Sequence, residues 1–125
     1  MADTEAEYRA RWEEHMRSGT APPLHNRIMG LRLAQLKPTT VLNMELTDNV
    51  RGSAPGTIHG GMLATLADVA SAASLWESVD YGTELPVTAD MHVRYYRQPR
   101  SGPLAAEATV VHRGRRLLST RVPIG

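Results

Sequence analysis

GTIHGGMLATLADVASAASLW, residues Gly56 to Trp76, is the stretch on which the reading of this chain turns. From Gly60 to Trp76 its only charged residue is Asp68, and Ala and Ser are frequent. A helix apolar on nearly all sides belongs inside a protein, and small side chains let other elements wrap it closely. At about 1.5 Å per residue it would be about 25 Å long, too short and too rich in Ser, Thr and Ala to read as a membrane span. A carboxylate on such a helix is costly unless it is paired, hydrogen-bonded or protonated. Asp68 shares a narrow polar stripe with Thr65 and Ser71, spaced i, i+3, i+6. That stripe fits a dimer seam, a substrate tunnel or a set of backbone hydrogen bonds. Ahead of the helix, Thr57-Ile58-His59-Gly60-Gly61 runs straight into the first turn. Helix starts present unpaired N–H groups and partial positive charge, and glycine lets a carbonyl oxygen come close. An oxyanion hole can be built from such main chain alone. The alternative is a tight loop-to-helix turn in which His59 simply bonds to the loop.

Outward from this segment the periodicity changes. Residues Ile28 to Leu46 alternate, with a break at Lys37-Pro38, and predict two strands joined by a turn; Thr47 to Gly56 is a loop by composition. After the helix, Val87, Ala89, Met91, Val93 and Tyr95 fall on one side and Thr88, Asp90, His92, Arg94 and Tyr96 on the other, predicting a strand from Val87 to Tyr96. Arg97 to Pro103 reads as a turn, Leu104 to His112 as a strand, Arg113-Gly114 as a tight turn and Arg115 to Val122 as a further strand. At the other end, Thr4 to Arg17 predicts an amphipathic helix packed on the domain edge, with Tyr8, Trp12 and His15/Met16 near helical spacing and Gly19 and Pro22-Pro23 ending it. The order helix, β, β, long helix, β, β, β has no repeat and no linker, so one α+β domain is expected. Its parts are an N-terminal helix over 1–23 and a sheet-and-helix domain over 24–125.

Bulk properties narrow the function. A chain of 125 residues is one domain, and a domain this small is marginal alone and gains from oligomerisation. The net charge of +1 argues against coating a polyanion, so no nucleic-acid partner is expected. With no cysteine there is no disulfide framework, thiolate zinc site or cysteine nucleophile, and the histidines form no HExxH-like metal cluster. Neither GxxxxGK[ST] nor GxGxxG occurs. The N-terminus carries charges of both signs and reads as neither a signal nor a transit peptide. The expected location is the cytoplasm, with no membrane partner.

The run GTIHGGMLATLADVASAA closely resembles the His-Gly-Gly signature of hotdog-fold thioesterases, and the nearest branch looks like the PaaI-like, phenylacetate-degradation type. The resemblance continues through VTADMHVRYYRQPRSGPLAAEATVVHRGRRLLSTRV and covers roughly Leu24 to Val122. The His-Gly-Gly run followed by a carboxylate seven residues after the second glycine is fairly specific. The resemblance implies a hotdog fold, a curled antiparallel sheet wrapped around the long central helix. It also implies cofactor-free hydrolysis of an acyl-CoA thioester by a homodimer or a dimer of dimers.

By position, Gly60 matches the glycine whose N–H polarises the thioester carbonyl. Asp68 matches the carboxylate that activates water or attacks directly. His59 matches a residue orienting the thioester or the loop, and Thr88 a hydroxyl that helps hold the attacking water. Ser53 lies where many members carry Asn. Gly61, Met62, Thr65, Ala89, Arg97 and Arg115 are the expected substrate contacts, the arginines as partners for CoA phosphates or as ordinary solvated strand ends. Gly60 and Asp68 stand eight residues apart, about 12 Å along one helix. A single reacting centre needs both within about 3 Å, and two antiparallel copies of the helix would bring them together. An acyl-CoA or acyl-group binding protein on the same scaffold is the alternative. A hotdog dehydratase is a third option, though no second helix-borne histidine is present. Family members usually continue after the strand matching Arg115 to Val122 with a turn and one more strand, which lies between that strand and the one after the central helix. Here Pro123-Ile124-Gly125 follows, so those two strands are expected either to pair directly or to receive a strand from another chain.

Overall fold

The computed structural model describes residues 1–18 and 24–125. The predicted stop of the first helix at Gly19 and Pro22-Pro23 lies outside the described residues. Helix α1 (Glu5–Ser18) and a short α2 (Leu24–Ile28) precede β1 (Leu31–Gln35) and β2 (Thr40–Met44). A 3-10 turn at Asp48–Val50 leads to the long helix α3 (Gly60–Ser74), followed by β3 (Leu104–Arg113) and β4 (Leu118–Arg121). The strands form one antiparallel sheet in the order β1-β2-β3-β4.

Local chemistry explains the borders. Gly30, at φ +66°, takes the left-handed conformation that ends α2 and turns the chain into β1, its N–H donating to the Arg27 carbonyl. The β2–β3 register sets Leu42 opposite Ala106 and Met44 opposite Leu104. All four side chains are buried, and they pack with Leu31, Leu63, Leu66 and Ala70 in one core between sheet and helix. In the absence of Phe, aliphatic side chains carry this core, with Ala106, Ala108 and Ala70 admitting close approach of α3.

Helix α3 lies on the concave side of the sheet, touching β2, β3 and β4. Its buried stripe is Leu63, Leu66, Ala70 and Ala73. The opposite face, Gly61, Thr65, Asp68 and Ala72, is exposed or half-buried. The expectation of a helix enclosed on nearly all sides is therefore met on one side only within a single chain.

The strand expected from Val87 to Tyr96 is absent from the sheet. No backbone hydrogen bond among the described residues joins this segment to any strand, and Val87, Met91, Tyr95 and Tyr96 are exposed. Side chains hold the segment instead: Thr88 donates to the Asp68 carboxylate at 2.6 Å and Tyr95 to the Gly60 carbonyl at 2.7 Å. Direct pairing of Val87–Tyr96 with the strand at Arg115 to Val122, one of the two expected closures, does not occur. The last strand is also shorter than expected, because β4 begins at Leu118 and Gly114 to Leu117 form the turn. Beyond β4 the chain stays on β3, where Ile124 bridges Ala106 and the Ala105 and Gly125 amides bond to each other's carbonyls.

Helix α1 reaches the core through its side chains. Trp12 touches the core, Tyr8 packs on Trp76 and Tyr81, and Arg11 lies over the Tyr81 ring at 4.9 Å. Arg9 donates to the Leu33 carbonyl, tying α1 to β1.

Candidate active site

The start of α3 is held from several directions. His59 is its N-cap, at φ −61° and ψ 125°, and its Nδ1 accepts the Gly61 N–H at 2.9 Å. A Cβ on Gly61 would lie 2.8 Å from His59 Cε1, so a larger residue there would displace the imidazole from the helix end. A Cβ on Gly60 would meet only the Tyr95 ring, at the ordinary contact distance of 3.5 Å. Nothing in the chain itself thus requires glycine at 60. The His59 and Val50 backbones pair through the His59 N–H, and Gly52 pairs with Thr57, which fixes the approach to the helix. Among the described residues the Gly60 N–H meets no acceptor, as expected for the first turn of a helix. The two glycines therefore differ in kind. Gly61 has its N–H satisfied by His59, whereas Gly60 presents a free donor at the positive end of the helix dipole.

Two turns along, Asp68 is half-buried and its Oδ1 accepts the Thr88 hydroxyl. The polar stripe resolves into three separate contacts. Thr65 donates back to the Gly61 carbonyl at 2.8 Å, Asp68 meets Thr88, and Ser71 meets Thr120 of β4. Thr65 is thereby committed to its own helix, while Asp68 keeps acceptor capacity on its outward side.

Of the residues singled out in the sequence, Asp68 and Thr88 are brought into contact, and His59, Gly60 and Gly61 form one turn. Gly60 and Asp68 stay on one helix, about 12 Å apart. Ser53 sits exposed at the tip of the loop beyond the Arg51–Ile58 bridge, with no hydrogen bond among the described residues. Met62 is partly buried against the core, and Ala89 is exposed beside Thr88. Arg97 is exposed. Arg115 lines a cleft of about 420 Å³ with Arg113, Arg116, Ser78, Leu85 and Leu118, and Arg113 donates to the Ser78 hydroxyl at 2.8 Å. Among the described residues no group of three or more His, Asp or Glu gathers as a metal site, and no helix is long and apolar enough to cross a membrane.

Tyr95 and Gln98 are the residues that sequence reasoning missed. Tyr95 bonds the Gly60 carbonyl, and the Gln98 carboxamide bonds the Ile58 backbone, its Oε1 accepting the Ile58 N–H at 2.8 Å. Tyr95 read as one more apolar-face strand residue and Gln98 as part of a turn, and neither pattern signals a contact 35 to 40 residues away.

A curled antiparallel sheet laid around one long helix, with a glycine turn at the helix start and a carboxylate on its open face, is the hotdog architecture of thioesterases. The family model described as the thioesterase superfamily matches residues 55–124, and the chain belongs to that superfamily. It is similar to a solved thioesterase-superfamily structure with 30% identity and a TM-score of 0.73, covering 94% of this chain and 83% of that one. It is also similar in fold to a thioesterase from Haemophilus influenzae, at 21% identity and a TM-score of 0.75, covering 90% of this chain and 76% of that one. A phenylacetic acid degradation-related protein from Ralstonia eutropha shares the fold at 20% identity and a TM-score of 0.71, covering 91% of this chain and 87% of that one. Among curated proteins none matches significantly. Membership of the superfamily supports thioester hydrolysis as the class of chemistry.

Proposed function

We propose that the protein hydrolyses acyl-CoA thioesters to a free acid and CoA, at a site completed by two copies of the chain. The observation that carries this reading is the open face of α3, where Asp68 is bonded to Thr88 two turns from the unpaired Gly60 N–H. A carboxylate with a free lone pair can take a proton from water. That water's oxygen then attacks the carbonyl carbon while the Gly60 N–H stabilises the developing oxyanion. Collapse of the tetrahedral species breaks the C–S bond, and the departing thiolate takes the proton back from Asp68 to leave as the thiol. Direct attack by Asp68 expels the thiolate and forms an anhydride, whose hydrolysis by water frees the acid and restores the carboxylate. The Thr88 hydroxyl fixes the carboxylate and holds the water beside it, and His59 sets the turn that aims Gly60.

One helix separates Asp68 from Gly60 by about 12 Å, so Asp68 of one copy serves the helix start of another. Gly61, Ala72 and the small side chains between them leave that face open to a second antiparallel helix. The exposed apolar side chains of Val87, Met91, Tyr95 and Tyr96 suit pairing of this segment with its copy, as a homodimer or within a dimer of dimers. Met62, Thr65 and Ala89 border the acyl chain, and Arg97 and Arg115 offer charge to the CoA phosphates, with Ser53 at the rim of the loop. No cofactor enters this chemistry. A cysteine-free chain suits the cytoplasm.

Release of free thiol from aryl-, short- and long-chain acyl-CoAs tests the reading and ranks the acyl groups. Turnover of at least one class is expected. Saturable acyl-CoA binding with no thiol release from any of them would replace the enzyme with an acyl-CoA binding protein on the same scaffold.

A further inference from the structure

The backbone at Ile58 is flanked on both sides. On one side residues 57–59 pair with residues 50–52, through His59 to Val50 and Gly52 to Thr57. On the other side no strand is present, and the Gln98 carboxamide stands where a strand would. Its Oε1 accepts the Ile58 N–H at 2.8 Å, and its Nε2 donates to the Ile58 carbonyl at 3.4 Å. Three residues earlier, Tyr95 donates to the Gly60 carbonyl at 2.7 Å, and its ring lies 3.5 Å from where a Gly60 Cβ would stand. Ile58 itself is rooted in the core. The turn from Ile58 to Gly61 is thus bonded at the Ile58 N–H and carbonyl, the Gly60 carbonyl and the Gly61 N–H. The Gly60 N–H remains as the free donor.

We propose that Gln98, assisted by Tyr95, is a positioning residue that locks this turn so that the Gly60 N–H is aimed before substrate arrives. The proposal rests on the thioesterase reading for its catalytic meaning, but the clamp itself is structural. An oxyanion donor acts chiefly in the transition state, so misaiming it lowers kcat far more than it raises KM. A side chain that serves only stability lowers the melting temperature and leaves both constants in place.

Gln98→Met keeps the length and removes both bonds. Gln35→Met is the matched control. Gln35 makes comparable carboxamide bonds to the Thr39 carbonyl and hydroxyl at the β1–β2 turn, remote from α3's first turn. Gln98→Met is expected to lower kcat by at least about ten-fold with KM within about two-fold of wild type, and to shift the Gly60 amide resonance. Gln35→Met should lose a similar amount of melting temperature and keep kcat and the Gly60 amide unchanged. A kcat within about two-fold of wild type in Gln98→Met, or an equal kcat loss in both variants, overturns the positioning role. If wild type releases no thiol, the thioesterase reading fails, and the amide spectrum decides the clamp by itself. A Gly60 amide unmoved in Gln98→Met overturns it.

Discussion

Among the described residues Asp68 takes one neutral donor, the Thr88 hydroxyl at 2.6 Å, and pairs with no cation. An ion pair would stabilise the carboxylate and blunt it as a base, whereas a single hydroxyl orients it and leaves lone pairs for water. Asp68→Asn keeps the shape and the hydrogen bond but removes the base. Acyl-CoA hydrolysis is expected to fall by about 10²-fold or more while acyl-CoA binding survives. Thiol release within a few-fold of wild type would remove Asp68 from the mechanism. Gly60 admits an equally clean change. It is the first residue of α3, where proline is best tolerated, and His59 at φ −61°, ψ 125° already has the conformation that a following proline demands. Gly60→Pro therefore deletes the N–H with little cost to the fold.

Among the elements, α1 has the least expected chemistry. Its Tyr8 hydroxyl is held well above the ordinary tyrosine value, first by burial and then by the neighbouring Tyr81; burial likewise raises Tyr81. A tyrosine whose folded pKa is raised stabilises the fold below its unfolded pKa, about 10. That stabilisation is lost as the pH climbs from there toward the folded pKa, because the unfolded chain releases its proton first. Denaturant titrations between about pH 8 and 11 should show wild type losing stability at the alkaline end and Tyr8→Phe losing less. Parallel losses in the two proteins would mean that Tyr8 is not buried against Trp76 and Tyr81 in solution. The segment 87–96 behaves differently. One side-chain bond each from Thr88 and Tyr95, and two from Gln98 just beyond it, fasten it to α3 and its approach loop, and its backbone pairs with no strand among the described residues.

At the scale of the whole molecule, the outward face of α3, the exposed apolar side chains of segment 87–96 and the free edge of β4 are the surfaces available to the proposed second chain. Ser71 bonds to β4 and Asp68 to segment 87–96. Among the described residues no backbone hydrogen bond joins β4 to segment 87–96. For the catalytic unit, mixing Asp68→Asn with Gly60→Pro subunits gives the decisive measurement. A mixed dimer holds one site with both residues intact, so thiol release should return on mixing two nearly inactive proteins. A fully active monomer by light scattering at micromolar concentration, or no recovery on mixing, would refute a shared site.

The sequence by itself determined an α+β domain, because periodicity and the glycine-bounded turn are local properties, and pointed to the family through the resemblance of its His-Gly-Gly run. A period of two at Ile28–Leu46 and Leu104–His112, a small apolar helix after His59-Gly60-Gly61 and a lone carboxylate within it are legible one residue at a time. The contact of Asp68 with Thr88 was not legible in that way; the resemblance implied a hydroxyl beside the attacking water, and only the fold brings it onto the carboxylate. Tertiary structure decided what depends on distant neighbours. The alternation at Val87–Tyr96 promises a strand, but a strand exists only where a partner completes its ladder, and within one chain none is in place. The burial promised for α3 likewise depends on what lies over Gly61, Thr65, Asp68 and Ala72. Tyr95 and Gln98 carry no local signature, because their value lies in reaching backbone 35 to 40 residues earlier. Only folding brings those two stretches side by side.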